Sequence, residues 1–232
     1  MLTRRLESEV MDTPDEARDY DAMDHGAVNR LFVDDCLTFC LETPLSARLT
    51  DLDQPLSMLD VGTGTAQIPI ELCRRTVTCR VTAIDLAAEM LKLAEFNIKS
   101  AGLSDVIHAE FIDAKQMPYA DAAFNAVLSN SIVHHIPKPR AVLAEMLRVL
   151  RRGGVLFVRD LLRPNTSSDV DRLVTTYAGQ ENAHSQQMFR DSLHAALTLP
   201  EIRDVAGNFG VPPSSVTQTS DRHWTLSWQK PA

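Results

Sequence analysis

The sequence has no apolar run near the roughly 20 residues that a bilayer-spanning helix needs. Arg4 and Arg5 stand near its start, but no apolar stretch follows them, so the layout of a secretory signal is missing. The 232 residues contain no internal repeat or low-complexity tract. We expect one cytoplasmic domain over 1–232, because this length suits a single domain at the large end of the usual range.

Cysteine is also scarce. The four cysteines include no CxxC pair and lie within apolar stretches, which favours buried reduced thiols over disulfides. Cys36 and Cys40 are spaced to share a helix face and could hold a metal ion, but such a site needs further ligands. Core packing is therefore the preferred interpretation.

A surplus of positive charge is absent as well, since the formal net charge is -8. Nucleic-acid binding depends on a basic surface that releases counterions from phosphates. We expect no nucleic-acid partner, with a local basic patch as the alternative, and the composition favours a small-molecule substrate.

The sequence does contain a regular alternation of strand-like and helical patterns. Strands are predicted at 56–61, 79–85, 106–113, 123–130 and 154–161, and helices at 26–41, 66–75, 86–102 and 139–150. Crossovers of this kind require parallel strands covered on both faces, the doubly wound α/β class. Two further runs within 214–228 predict a final antiparallel hairpin at the sheet edge.

This pattern divides the chain into four parts. We expect an N-terminal helical cap (1–55), a ligand-binding core (56–161), a helical lid insertion (162–200) and closing edge strands (201–232). Inserted segments of this kind often cover a site and select its substrate.

Ligands of such sheets bind beyond the carboxyl ends of the strands. Gly62 and Gly64 directly follow the first strand, where glycine lets backbone N–H groups approach a ligand. Asp85 ends the second strand and could accept two ribose hydroxyls, or it could cap the next helix. A dinucleotide fingerprint would need glycine where Gln67 stands, so oxidoreductase chemistry is disfavoured.

Residues 58–161 resemble class I S-adenosylmethionine-dependent methyltransferases, in particular the ubiquinone and menaquinone biosynthesis type. The resemblance rests on four stretches: MLDVGTGTAQ, AIDLAAEML, IDAKQMPYADAAFNAVLSNSIVHHI and RVLRRGGVLFVRDL. It implies a seven-stranded Rossmann-like fold with S-adenosylmethionine as cofactor. Ala66 stands where the last glycine of the family's DxGxGxG turn is usual.

The resemblance also implies cofactor contacts at matching positions. Those near the methionine part are Asp60, Gly62, Thr63, Gly64 and Gln67. Those at the ribose and adenine are Asp85, Leu86, Met90, Asp113 and Ala114, while Ser129 and Asn130 lie under the sulfonium.

His134 and His135 follow the fourth strand and are the candidate catalytic residues, because a histidine there could accept a proton from the methyl acceptor. Adjacent side chains point in different directions, so at most one faces the cofactor, and we prefer His134. Structural packing is the alternative for either residue. We expect no metal site, because no third ligand lies nearby in sequence.

The same region disfavours two classes of methyltransferase: one that depends on magnesium and one that methylates nitrogen atoms. Family members that hold magnesium carry acids after the fourth and fifth strands, whereas this chain has Asn130 at the first place and Asp160 only at the second. Enzymes that methylate amide or exocyclic nitrogens carry a Pro-Pro-aromatic turn, which is replaced here by 130–133.

Substrate selection is expected in segments outside the general pattern. Polar candidates cluster at 18–25 and 177–192, and their alternative role is a solvated helix face. The candidates for substrate binding are Tyr20, His25, Tyr177, Asn182, His184 and Arg190, with Asp24 and Gln187 beside them.

These observations predict an enzyme that methylates a small molecule. The alternatives are an RNA or protein methyltransferase, which would need a basic channel, and a non-catalytic module that keeps the cofactor pocket. The sequence gives neither the acceptor atom nor the oligomeric state.

Overall fold

The computed structural model of the chain describes residues 2–10, 12–23, 25–49, 51–75 and 78–232. Within these residues one sheet contains seven strands: β1 (Leu56–Val61), β2 (Cys79–Asp85), β3 (Ile107–Phe111), β4 (Phe124–Asn130), β5 (Leu150–Leu161), β6 (Val216–Gln218) and β7 (His223–Gln229). Their order is β3-β2-β1-β4-β5-β7-β6. Pairs from β3 to β5 are parallel, and β7 is antiparallel to β5 and β6, so the predicted fold class is confirmed.

The helices are α1 (Pro14–Ala22), α2 (Gly26–Leu41), α3 (Gln67–Arg75), α4 (Ala88–Ser100), α5 (Pro139–Val149), α6 (Ser167–Ala178), α7 (Ala183–Ala195) and α8 (Leu199–Gly207). The hydrophobic pattern did not predict α1. Its signal is a capping box, in which Thr13 and Glu16 satisfy each other's backbone N–H groups.

Two apolar layers cover the sheet. Met58 and Leu59 are neighbours in β1, and because strand side chains alternate, they belong to opposite layers. The layer at Met58 is completed by α2, α3 and α4, and the layer at Leu59 by α5 and α8. Cys36 and Cys40 are fully buried in the first layer, in agreement with core packing.

β5 begins earlier than the sequence predicts. The Gly-Gly pair suggests a turn before residue 154, but the strand starts at Leu150 and continues through Gly153, which has a φ of +71°. A register shift against β4 between Phe124 and Ala126 accommodates this passage.

The N-terminal segment (residues 2–10) crosses the carboxyl edge of the sheet. Arg4 holds it there: its Nε donates to the Ala195 carbonyl at 2.6 Å, and its Nη2 donates to the carbonyls of His134 and Ile136 at 3.0 Å each. These bonds tie the segment to both α7 and the loop after β4. In the described part of the chain, no helix is both long enough and apolar enough to span a membrane.

Candidate active site

A cavity, here called the cofactor cavity, lies at the carboxyl ends of β1, β2 and β4. Ten predicted site residues line it: Tyr20, Gly62, Gly64, Asp85, Leu86, Met90, Asp113, Ala114, Asn130 and His135. Because parallel strands end at the same edge, residues far apart in sequence converge there.

The glycine turn and the acid at the end of β2 are bonded to each other. The Gly64 N–H donates to Asp85 Oδ2 at 2.8 Å, and the Ala87 N–H donates to Oδ1 at 2.9 Å. Asp85 therefore holds the backbone just before α4, although the N-cap residue of α4 is Ala87, and it also lines the cavity. Burial raises the pKa of its carboxyl, and the backbone N–H donors oppose that shift.

Asp60 lies behind the glycine turn and does not line the cofactor cavity. Its side chain is buried, and this burial raises the pKa of the carboxyl to about 7, with the charge of Asp85 adding to the increase. Tyr20 lines the cavity from α1, and His25 lies against it with ring centroids 4.9 Å apart. Burial raises the pKa of Tyr20 to about 12.

The end of β4 presents a buried polar atom to the cavity. Asn130 Oδ1 is buried and has no hydrogen-bond partner among the described residues. Ser131 follows with a φ of +60°, a left-handed conformation that is unusual for serine and is typical of functional sites. Ser129 instead donates to the Val61 carbonyl at 2.9 Å and does not line the cavity.

The two histidines have different surroundings. His134 is buried outside the cofactor cavity, with Nδ1 2.5 Å from Asp160 Oδ1. Burial alone would lower the pKa of His134, but the neighbouring Asp160 carboxylate raises it overall. His135 lines the cavity, and burial lowers its pKa to about 3, helped by the charge of His134. The preference for His134 as the cavity-facing histidine therefore does not agree with this placement.

Glu7 of the N-terminal segment meets this pair. Its Oε1 lies 3.2 Å from His135 Nδ1 and 3.5 Å from His134 Nε2. Burial raises the pKa of the Glu7 carboxyl. No local sequence signal connects Glu7 with the histidines, since only folding brings the segment to them.

A second cavity lies between the N-terminal segment and α7, and it is called the acceptor cavity here because the predicted substrate-binding residue His184 lines it. Its wall includes Glu7, Ser8, His184, Gln187 and Asp191. Of the six predicted substrate-binding residues, His184 is the one found on this wall.

The remaining predicted residues lie outside both cavities. Tyr177 donates to Asp221 at 2.9 Å, Asn182 accepts the Ser185 N–H at the start of α7, and Arg190 pairs with Asp171 at 2.5 Å. Thr63 and Gln67 do not line the cofactor cavity either, and Asp24 is outside the described residues.

The sequence analysis missed several cavity residues. Glu9 and Lys115 form an ion pair on the wall of the cofactor cavity, and Ile132 packs against the glycine turn. Lys115 follows the predicted Asp113 closely, so strand-end position could have indicated it. Glu9 carried no such signal.

Comparison with known proteins agrees with this geometry. Residues 59–158 match the family described as a methyltransferase domain. This stretch lies within residues 58–161, which resemble class I S-adenosylmethionine-dependent methyltransferases.

Among individual proteins, the chain is 34% identical over 118 residues to a demethylmenaquinone methyltransferase of Porphyromonas gingivalis, covering 50% of this chain and 48% of that protein. It is 28% identical over 176 residues to the 27-O-demethylrifamycin SV methyltransferase of Amycolatopsis mediterranei, covering 75% and 60%. The chain thus spans about half the length of the first of these relatives. The plantazolicin methyltransferase BamL, solved with SAH, has the same fold, with a TM-score of 0.67 at 18% identity, covering 88% of this chain and 71% of that one.

Proposed function

We propose that this chain transfers a methyl group from S-adenosylmethionine to a small-molecule acceptor. The observation that carries the proposal is the convergence of Gly62, Gly64, Asp85 and Asp113 on one cavity at the carboxyl edge of the sheet. When bound, the cofactor supplies a methyl group already activated on a sulfonium sulfur.

The residues present fit such a cofactor. Asp85 offers carboxylate oxygens to ribose hydroxyls, and the unpartnered Asn130 Oδ1 offers an acceptor to a polar ligand group. Asp113 and the following Ala114 line the same cavity, and we expect them to contact the adenine amino group. These residues position the ligand, and positioning supplies much of the rate in a displacement of this kind.

The acceptor cavity is the proposed substrate site. Its volume is about 490 Å³, and small-molecule pockets span about 300–1,000 Å³. The cofactor cavity, at about 110 Å³, is below that range, so we expect it to widen when the nucleoside binds. His135 is the histidine that faces the cofactor cavity, so we propose it, rather than His134, as the group nearest the reacting atoms.

Two observations favour a small molecule over a macromolecule as the methyl acceptor. The named relatives include methyltransferases of menaquinone and rifamycin precursors. The net charge of -8 disfavours nucleic acid, as argued from the sequence. The four cysteines are free thiols, which supports the proposed cytoplasmic location.

The test is incubation of the full chain with methyl-labelled cofactor and cell extract, followed by separation into small-molecule, protein and RNA fractions. We expect label in the small-molecule fraction, with one S-adenosylhomocysteine formed for each methyl group transferred. Label confined to protein or RNA would overturn the small-acceptor proposal. Tight binding of S-adenosylhomocysteine without any transfer would favour the non-catalytic module.

A further inference from the structure

Three metal-ligating side chains meet at one point between the two cavities. Glu7, His134 and His135 each direct one ligand atom there, and these atoms lie within 4.8 Å of one another. The sequence argument against a metal site rested on the lack of a third ligand near the histidines. Folding supplies that ligand from the N-terminal segment.

Two of the three distances between ligand atoms suit coordination, and the third, between the two histidine nitrogens, is within 4.8 Å. Ligands at about 2.0–2.1 Å from a tetrahedral Zn²⁺ ion stand about 3.4 Å apart. Glu7 Oε1 lies 3.5 Å from His134 Nε2 and 3.2 Å from His135 Nδ1. Oε1 is also buried and accepts no hydrogen bond from the described residues. A buried carboxylate oxygen without a donor needs a cation beside it, which the imidazolium form of His134 supplies in the metal-free protein and a bound metal ion would supply in its place.

Neighbouring groups hold two of the ligands in orientation. His134 Nδ1 lies 2.5 Å from Asp160 Oδ1, which leaves Nε2 facing Glu7, and a metal ion that binds there would displace any proton on Nε2. Asp160 is fixed in turn by the backbone N–H groups of Val133 and Leu161. Ser192 donates to the other oxygen of Glu7 at 3.2 Å. Carboxylate support of this kind is common behind metal-bound histidines.

We propose that Glu7, His134 and His135 bind one divalent transition-metal ion at the junction of the cofactor and acceptor cavities. Two imidazoles and one carboxylate suit Zn²⁺ or Fe²⁺, whereas Mg²⁺ and Ca²⁺ prefer oxygen ligands only. On binding, His135 Nδ1 exchanges its 3.3 Å contact with the Ser8 carbonyl for the metal.

The location also suggests the class of acceptor, an inference that rests on the proposed function. Three protein ligands leave the fourth position of a tetrahedral ion open, and the site lies where His135 lines the cofactor cavity and Glu7 lines the acceptor cavity. A metal with open positions lowers the pKa of a coordinated hydroxyl. The acceptor group is therefore expected to be an ionisable oxygen, such as a phenol, an enol or a hydroxy acid.

The test measures metal binding directly on the full chain, without an affinity tag and after treatment with a chelator. Zn²⁺ is titrated by calorimetry, and Co²⁺ is added to follow the visible absorption of a protein-bound ion. We expect one ion per chain. Changes in groups that only support a ligand cost about 10–100-fold in metal affinity, so loss of a ligand itself in Glu7→Gln or His135→Ala is expected to weaken Zn²⁺ binding by about 100-fold or more.

Matched controls separate this site from surface binding. His108→Ala and Glu95→Gln remove the same types of group at exposed positions and should leave the Zn²⁺ affinity unchanged. Circular dichroism and the melting temperature of each variant show whether it is folded, and binding of S-adenosylhomocysteine by the wild-type protein tests the cofactor proposal separately.

The metal proposal would be overturned if the wild-type protein bound no ion, or if the Glu7→Gln and His135→Ala variants bound Zn²⁺ as tightly as the wild type. Either result would leave the methyl-transfer proposal intact. Metal binding without binding of S-adenosylhomocysteine would instead overturn the proposed function. If one of the two variants does not fold, the other decides the result.

Discussion

A Cβ atom added to Gly62 would lie 2.0 Å from Cγ2 of Ile132, so the turn after β1 and the loop after β4 fit together only without a side chain at this position. Gly62 also has a φ of +73°, which strains any L-residue. The glycine at position 62 thus allows the two loops that border the cofactor cavity to pack closely against each other.

We expect Gly62→Ala to destabilise the protein by about 1–3 kcal/mol, because it combines overpacking with an unfavourable backbone conformation. Urea unfolding measures the change. Gly207→Ala is the control, since its Cβ would meet nothing within 4 Å. The expectation fails if the two variants are equally stable.

Asp85→Ala should weaken binding of S-adenosylhomocysteine by about 1–3 kcal/mol through lost hydrogen bonds to a charged acceptor. The change also releases the Gly64 and Ala87 N–H groups that Asp85 now holds. Isothermal calorimetry gives the Kd, with exposed Asp105→Ala as the control. An unchanged Kd in the Asp85 variant would count against the cofactor assignment.

Asp60→Asn should stabilise the ligand-free protein more at pH 8 than at pH 5.5. The folded-state pKa of Asp60 is about 7, whereas an unfolded aspartate titrates near 4. The folded state therefore binds more protons between these values, and this group lowers stability as the pH rises from about 4 to 7. Melting temperatures of both proteins at the two pH values measure the difference. If Asp60→Asn raised the melting temperature more at pH 5.5 than at pH 8, the raised pKa of Asp60 would be contradicted.

Arg4→Ala should loosen the N-terminal segment, because the guanidinium bonds to carbonyls of α7 and of the loop after β4. A loss of about 1–3 kcal/mol is expected from carbonyls left without a charged donor. Hydrogen exchange of residues 2–10 and urea unfolding detect the change.

Arg18→Ala is the control for Arg4, since the contact of Arg18 among the described residues is an exposed ion pair with Asp15. Equal hydrogen exchange of residues 2–10 in the two variants would show that Arg4 does not anchor the segment.

The strand and helix pattern was predictable because it depends on local side-chain periodicity. β1 and β2 begin and end where the pattern predicts, at Leu56–Val61 and Cys79–Asp85. β5 was less predictable, because Gly153 is compatible with both a turn and a strand irregularity, and pairing with β4 decided between them.

Most of the predicted strand-end residues do line the cofactor cavity. These residues directly follow strands, and strand ends in a parallel sheet lie at one edge. The substrate-binding residues predicted at 177–192 lie mostly outside both cavities. Tyr177, Asn182 and Arg190 bond to nearby turns and helices, because polar groups on a helix surface find partners that sequence spacing does not reveal.

The sequence by itself determined the doubly wound sheet and the placement of Gly62, Gly64, Asp85 and Asp113 at its carboxyl edge, since periodicity and strand ends are local properties. Only the tertiary structure decided which histidine faces the cavity and that Glu7 joins the pair. Those contacts depend on how the N-terminal segment docks through Arg4, and long-range docking leaves no periodic trace in the sequence.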